Sequence, residues 1–555
     1  MDWPIVVETG AAIVQSDKTV LIELSHPGAE DARHDIAVFA ELERAPEHVH
    51  TYRITRLTLW NAEAAGHSAE DILGTLERHS RFPIPDSVRA DINDAISRCG
   101  KVTLSRDGER LVLHGDPGIL REIAQSKKVQ PFISSVGDNE LEVEPLSRGK
   151  IKQELLRIGW PATDLAGYAE GEDHEIDLRT NGWSLRDYQQ RAVERFVGSG
   201  SGVVCLPCGA GKTLVGAGVM AELDQATLIL VTNTLAARQW RRELLERTSL
   251  TEDDIGEYSG SVKEIKPVTI ATYSIVTAKR GGQFRHIGLL GERKWGVVIY
   301  DEVHLLPAPV FQLSAELQAT RRLGLTATLI REDGREGDVF SLIGPKRYDA
   351  AWKDLEKAGY LAPAHCVEVR LELPAEDRIH YATLADNERY RYASTHQAKD
   401  AVVRELVEKF PEERILVMGI YLDQLERLST ELGIPLVTGE TPLSEREELL
   451  HQFRNGDIPA LVVSKVANFS LDLPEASVAI QVSGTFGSRQ EEAQRLGRIV
   501  RPKADGRSAL FYSIVTRDTV DQDYAMNRQR FLTEQGYSYE IVGTEALTGG
   551  APAAT

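Results

Sequence analysis

The chain has 555 residues, with 64 Lys and Arg against 84 Asp and Glu, a formal net charge of −20, and 42% hydrophobic residues. That length is more than one core can serve, so about three to five domains are expected. No apolar run is long enough to span a bilayer as a helix, and the acidic balance counts against a protein that holds nucleic acid by bulk charge, while leaving room for a local basic groove. Met1-Asp2-Trp3-Pro4 lacks a basic segment followed by an apolar core, so a cytoplasmic location without a secretion signal or membrane association is expected.

Residues 1–100 read as a mostly helical N-terminal domain. It opens with short apolar segments such as Thr19-Val20-Leu21-Ile22, a turn over 29–34 and a helix over 36–42. From Tyr52 to Cys99 the pattern is helical. Ser68 stands three residues before Asp71, as in an N-terminal capping box, and Ile72, Leu73 and Leu76 share the face that follows. Residues 101–170 read as a small α+β module. Two apolar runs, Val102-Thr103-Leu104-Ser105 and Leu111-Val112-Leu113, flank Asp107-Gly108, a strong hairpin signature. A helix over 118–125, a strand over 140–143 and a helix starting near Arg148 complete it. From the residues alone this module is either a spacer or a reader of DNA shape.

Strands then alternate with helices, the texture of parallel α/β units. One block covers 171–345 and a second 346–545. The second includes strands at 415–420, 436–438, 460–464 and 478–482, a helix over 422–432, and a helix opened by Ser444 with Glu447 and closed by Gly456. Residues 546–555 form a Gly/Ala/Pro-rich tail expected to be disordered. Between the blocks, Arg378-Ile379-His380-Tyr381 and Glu388-Arg389-Tyr390-Arg391-Tyr392 interleave Arg with Tyr. Such a run can grip a nucleic-acid strand by stacking and charge, or pack its aromatics on an exposed helix.

The first block holds the chemistry. Val203-Val204-Cys205 leads into Leu206-Pro207-Cys208-Gly209-Ala210-Gly211-Lys212-Thr213 and then a helical run. Backbone N–H groups of such a turn and the positive end of the helix dipole face a phosphate. Lys212 reaches the β/γ-phosphates and the Thr213 hydroxyl ligates Mg²⁺. Leu206 stands where the usual motif has its first Gly, so the match is incomplete. Of the four cysteines, Cys99, Cys205, Cys208 and Cys366, the C-x-x-C pair at 205 and 208 lies within this loop, where a disulfide or zinc would distort it; both are read as small buried residues.

Val297-Val298-Ile299-Tyr300 is a buried-strand pattern ending in Asp301-Glu302-Val303-His304. Carboxylates at the end of a parallel strand point to the crevice where open α/β sheets bind ligands. Asp301 can hold Mg²⁺ and Glu302 can activate the attacking water. Thr326 and Thr328, in Gly324-Leu325-Thr326-Ala327-Thr328, can change hydrogen bonds with the γ-phosphate. In Gln494-Arg495-Leu496-Gly497-Arg498-Ile499-Val500-Arg501, Arg498 and Arg501 share one helical face; they fit arginine fingers or a solvated basic surface.

These motifs, in this order over two α/β blocks, resemble superfamily 2 helicases, and more narrowly the XPB family. The narrowing comes from Leu206-Pro207-Cys208-Gly209-Ala210-Gly211-Lys212, Gly324-Leu325-Thr326-Ala327-Thr328-Leu329-Ile330-Arg331-Glu332-Asp333, Ile343-Gly344-Pro345-Lys346 and the run from Ser488 to Arg498. The likeness is strongest over 180–545. Leu57-Thr58-Leu59-Trp60-Asn61 resembles the family's N-terminal helical domain, and 101–165 its damage-recognition domain by position and element order.

The resemblance implies an α/β fold with two RecA-like motor domains, preceded by the helical domain and the α+β module, with a thumb-like insertion at about 376–400. It implies ATP and Mg²⁺ as cofactors. The nucleotide would be held by Gln189 (reading adenine), Pro207, Cys208, Gly209, Ala210, Gly211, Lys212 and Thr213. Glu302, Asp301, Lys212, Arg498 and Arg501 would be catalytic, with the metal on Thr213 and Asp301. DNA contacts would come from Thr232, Asn233 and Arg238, from Thr272, Tyr273 and Ser274, from Arg331, Glu332 and Asp333, and from Ser464 and Lys465. His304, Thr326, Thr328 and Gln494 would couple the two activities. Asp187 stands where the family often has Pro.

The same resemblance implies an ATP-dependent 3′–5′ DNA helicase or translocase acting in nucleotide excision repair on single-stranded, forked or damaged duplex DNA, nucleoid-associated if prokaryotic. A duplex remodeller without strand separation, a DNA-dependent ATPase serving a partner such as a nuclease, and an RNA substrate are the alternatives.

Overall fold

The computed structural model describes residues 10–45, 48–137, 139–144, 147–179, 182–207, 209–280, 283–284, 286, 289, 291–307, 310, 317–318, 320–327, 335–350, 352–361, 364–464, 476–484, 509–534 and 537–547. No helix among them is long and apolar enough to cross a membrane. The chain divides into two compact units.

The first unit is built on a seven-stranded parallel sheet. Its order is Ile255–Tyr258, Val268–Thr272, Thr227–Val231, Val297–Asp301, Arg321–Thr326, Ser201–Cys205 and Lys346–Asp349. Its central strands are apolar on both faces because helices cover both, as parallel sheets require. Strand order reverses around Ser201–Cys205, whose carboxyl end opens into the phosphate loop. This is the expected RecA-like domain, with its loop at a switch point.

The N-terminal segments dock on this sheet's domain. Residues 10–100 carry four strands beside four helices, a more mixed composition than the helical periodicity implies. The turn expected over 29–34 is a helix, Ala29–Ile36, which buries Ala29, Ala32 and Ile36 at helical spacing. Thr55 and Thr58 form a capping box, as do Ser68 and Asp71. Trp60 packs beside Phe340 with ring centroids 6.4 Å apart, and Asn61 Oδ1 accepts from the Lys346 backbone N–H at 3.0 Å.

The α+β module has a five-stranded sheet ordered Ile133–Val136, Glu140–Val143, Arg110–Gly115, Val102–Asp107 and Ala162–Asp164. Gly108, at φ 61, makes the hairpin turn. Its helix Arg148–Arg157 meets the motor domain: Gln153 Nε2 donates to Asp338 Oδ1 at 2.8 Å. Tyr168 seals the same junction. Its hydroxyl donates to Ser201 Oγ at 2.8 Å, and the guanidiniums of Arg148, Arg321 and Arg322 lie 5.7–5.8 Å from its ring, within cation–π range.

The second unit has its own seven-stranded parallel sheet, ordered Leu436–Val437, Ala460–Ser464, Ile415–Gly419, Val478–Gln481, Ala509–Thr516, Ala364–Leu371 and Ser538–Gly543. It is the second RecA-like domain. The helix expected to open with a Ser444 box runs over Leu443–Asn455 with Pro442 at its cap, and Gly456 closes it in the left-handed region. Two helices, Ala375–Thr383 and Asp386–Ser394, occupy the segment expected to be a thumb-like insertion. The exposed His380 lies edge-on to Tyr392 at 5.1 Å, and the buried Tyr390 edge-on to Tyr524 at 4.8 Å. The tail beyond Leu547 lies outside the described residues.

Candidate active site

The strand Ser201–Cys205 ends at the phosphate loop, and the helix Lys212–Leu223 begins from Gly211 in the left-handed region, φ 80 and ψ 44. Only glycine takes that conformation without strain. A second reason bars a side chain at 211: a Cβ there would lie 2.4 Å from Gln189 Nε2. Gln189 itself is buried, and its Oε1 accepts from the Arg186 backbone N–H at 2.9 Å. The start of the helix Asp187–Ser199 is thereby braced under the loop. Pro207 and Ala210 are buried and Gly209 is exposed at φ 80; Cys208 lies outside the described residues. Cys205 is a free, buried thiol whose pKa burial pushes up, so it is an inert packing residue.

The parallel strand Val297–Asp301, separated from Ser201–Cys205 by Arg321–Thr326, delivers the carboxylates. Lys212 Nζ lies 3.6 Å from Glu302 Oε1, and His304 Nδ1 lies 3.6 Å from Glu302 Oε2. Glu302 is one of four non-glycine residues with positive φ among the described residues, at φ 51 and ψ 56. Backbone held in this region costs about 1–3 kcal/mol and persists where the surroundings fix it. Burial first, and then the adjacent Glu302 charge, raise the Asp301 pKa to about 6. One lysine beside two carboxylates leaves negative charge that a divalent cation would offset. With Thr213 in the first turn of the loop helix and the left-handed Gly211 ahead of it leaving the loop backbone without a side chain there, the residues present fit a Mg²⁺-bound nucleoside triphosphate.

Asp301 is held twice more. Trp240 Nε1 donates to Asp301 Oδ2 at 3.0 Å, and the Tyr273 hydroxyl donates to the Asp301 backbone carbonyl at 2.8 Å. Neither role is legible in the sequence, because each joins residues far apart along the chain. His304 Nδ1 and Thr326 Oγ1 are 2.6 Å apart, so the acidic strand end and the next strand of the sheet are linked directly.

The other expected contact residues fall into three groups. Arg238 and Ser274 are exposed on the first unit. Thr232 and Asn233 bond to each other, and Asn233 Oδ1 also caps the helix Thr234–Arg247 through the Ala236 N–H, which occupies that oxygen within the fold. Thr272, Tyr273 and Ser464 are buried, so their side chains serve the interior; Thr272 Oγ1 caps the turn at Ile275. Thr328, Arg331, Glu332, Asp333, Lys465, Gln494, Arg498 and Arg501 lie outside the described residues.

Comparison with known families places residues 355–550 in the ERCC3/RAD25/XPB C-terminal helicase family. Residues 182–331 match the res subunit of type III restriction enzymes, and residues 12–135 match a family described as a helicase conserved C-terminal domain. The chain is 60% identical over 546 residues to the DNA 3'-5' helicase XPB of Kineococcus radiotolerans, covering 98% of each chain. It is 59% identical over 545 residues to the protein of that name from Mycobacterium tuberculosis, covering 98% of this chain and 99% of the other. Against the XPB/SSL2 helicase/translocase subunit of general transcription and DNA repair factor IIH from Saccharomyces cerevisiae it is 31% identical over 604 residues, covering 96% of this chain and 72% of that one.

Proposed function

The chain belongs to the XPB family of DNA 3'-5' helicases, and from that membership we propose that it uses ATP hydrolysis to move 3′ to 5′ on DNA and part its strands, in nucleotide excision repair. The observation that carries this reading is the grouping of Lys212, Asp301, Glu302 and His304 around one strand end beside the phosphate loop. In it, Lys212 and the loop N–H groups hold the β/γ-phosphates. Glu302 orients and deprotonates the attacking water. Asp301 and Thr213 are the residues that would hold Mg²⁺, which supplies charge neutralisation on the phosphates. Arg498 and Arg501 are assigned the finger role, and Gln494 with Thr328 the coupling role, by their motifs. Arg238 and Ser274 are the exposed DNA-facing candidates of the first unit, joined by Arg331, Glu332, Asp333 and Lys465 from their motifs.

The test is ATP hydrolysis with and without single-stranded and forked DNA, with RNA as control and Lys212→Ala as blank. Hydrolysis stimulated by DNA and absent from the blank supports the motor. Hydrolysis indifferent to nucleic acid overturns it in favour of a partner-dependent ATPase, with a nuclease as one such partner. Strand displacement on the fork separates unwinding from duplex translocation.

A further inference from the structure

Two segments proposed to meet DNA also grip Asp301, each through one buried aromatic. The helix Thr234–Arg247 starts at Asn233 and has two distinct faces. Arg238 and Arg242, with Arg241, Glu246 and Glu252, line an open surface groove of about 530 Å³, in which Arg241 is paired with Glu252. Ala237, Trp240 and Leu244 are buried on the other side, at the spacing of three and four residues that keeps one helical face together. Trp240 is 2% exposed and its Nε1 sits 3.0 Å from Asp301 Oδ2. The ring fills a notch in the phosphate-loop helix: a Cβ at Gly216 would lie 2.5 Å from Trp240 Cη2. In the second segment Ser274 is exposed while Tyr273, its neighbour, is buried with its hydroxyl on the Asp301 carbonyl at 2.8 Å.

An indole N–H only donates, so Trp240 holds Asp301 Oδ2 and fixes how the carboxylate is turned. Carboxylates of metal sites are aimed by such outer hydrogen bonds, and losing one typically costs 10–100-fold in metal affinity. We propose that Trp240 is a positioning residue of the ATPase centre: it aims the Asp301 carboxylate at Mg²⁺–ATP and ties that carboxylate to the helix whose opposite face carries Arg238 and Arg242. Tyr273 steadies the same residue from its backbone side. A shift of the helix on binding DNA therefore reaches Asp301 through a single hydrogen bond, which gives DNA-stimulated turnover a physical route. The inference rests on the reading of Asp301 as the metal-holding carboxylate.

The full-length protein tests it. Affinity for a fluorescent non-hydrolysable ATP analogue is measured with Mg²⁺ and with EDTA, in wild type, Trp240→Phe and Asp301→Asn. Trp240→Phe keeps a ring in the notch and removes the N–H. The expected result is a roughly tenfold or greater loss of the Mg²⁺-dependent gain in affinity, with the EDTA affinity within about twofold of wild type. DNA stimulation of kcat falls as well, while affinity for single-stranded DNA holds. Gly216→Ala, which keeps the indole but pushes it from its notch, gives the same loss and carries the test should Trp240→Phe not fold. A full Mg²⁺-dependent gain in the Trp240 variant, or an equal fall with Mg²⁺ and with EDTA, overturns the proposal. If Asp301→Asn itself keeps the full gain, the reading of Asp301 fails; if only the Trp240 variant keeps it, the positioning role alone fails.

Discussion

His304 Nδ1 and Thr326 Oγ1 lie 2.6 Å apart, joining the turn that follows the acidic strand end to the end of the neighbouring strand. The same nitrogen stands 3.6 Å from Glu302 Oε2, so the hydroxyl and the carboxylate proposed to activate water both lie beside one imidazole. Thr326→Val keeps the shape and removes the hydroxyl. A hydrogen bond of this kind contributes about 1 kcal/mol net, roughly a fivefold effect. ATP hydrolysis should persist, while base pairs displaced per ATP fall by about that factor. An unchanged ratio would show that the pair has no coupling role.

Glu302 occupies the left-handed region at φ 51, and its side chain is largely enclosed between Lys212 and His304. Glu302→Gln leaves the backbone and the volume in place and removes the carboxylate proposed as the base. Turnover should fall about 10²–10⁴-fold, the usual contribution of a positioned general base. Binding of ATP, measured by a fluorescent analogue, should stay near wild type. Normal hydrolysis in this variant would remove Glu302 from its role.

The parts of this site that were legible in the sequence are local. The glycines and Lys212 fall within one turn, and Asp301 and Glu302 end one apolar strand, so periodicity and composition suffice to place them. The hairpin at Asp107-Gly108 and the Ser68 cap are readable for the same reason. Trp240 on Asp301 and Tyr168 among Arg148, Arg321 and Arg322 are not, because each contact closes over many residues and depends on sheet order. The helix Ala29–Ile36 escapes a reading of residues 29–34 as a turn because its polar run hides three buried positions, Ala29, Ala32 and Ile36. Ser444 with Glu447 imitates a capping box, yet the helix starts one residue earlier, where Pro442 supplies a fixed φ for entry. Tyr273 looks like a surface contact in its motif, and only the fold shows that its ring is turned inward.

Gly211 carries two constraints at once, a φ of 80 and a Cβ position 2.4 Å from Gln189 Nε2. Gly211→Ala should weaken ATP-analogue binding at least about tenfold, since the strain alone costs roughly 1–2 kcal/mol. Adding Gln189→Ala relieves the clash and leaves the backbone penalty, so affinity, taken relative to the Gln189→Ala single variant, should recover only in part. Full recovery in the double variant would assign the whole effect to crowding; none would assign it to the backbone.

Asp164 is the hub of the α+β module's junction. It accepts from Arg148 Nη2 at 2.8 Å and from Lys152 Nζ at 2.7 Å, with all three side chains no more than 10% exposed. Burial pushes its pKa up, but the Lys152 and Arg148 charges outweigh burial and hold it well below the usual carboxylate value of 3.8. The folded value lies below the unfolded one. Its stabilisation is therefore fully present above about pH 4 and is lost as pH falls further. Burial draws Lys152 down to about 8; the Arg322 and Arg148 charges act in the same direction and Asp164 against them. The Lys152 penalty is present below about pH 8 and is relieved as pH rises from there toward 10.5. Asp164→Asn leaves two buried cations facing a neutral amide, which should cost about 3–5 kcal/mol. Urea unfolding of the full chain followed between pH 3 and pH 7 checks this. Wild type should lose stability below pH 4, and the variant should be weaker above pH 4 with a flatter profile. Parallel profiles for the two proteins would mean that Asp164 does not govern the acid sensitivity of this junction.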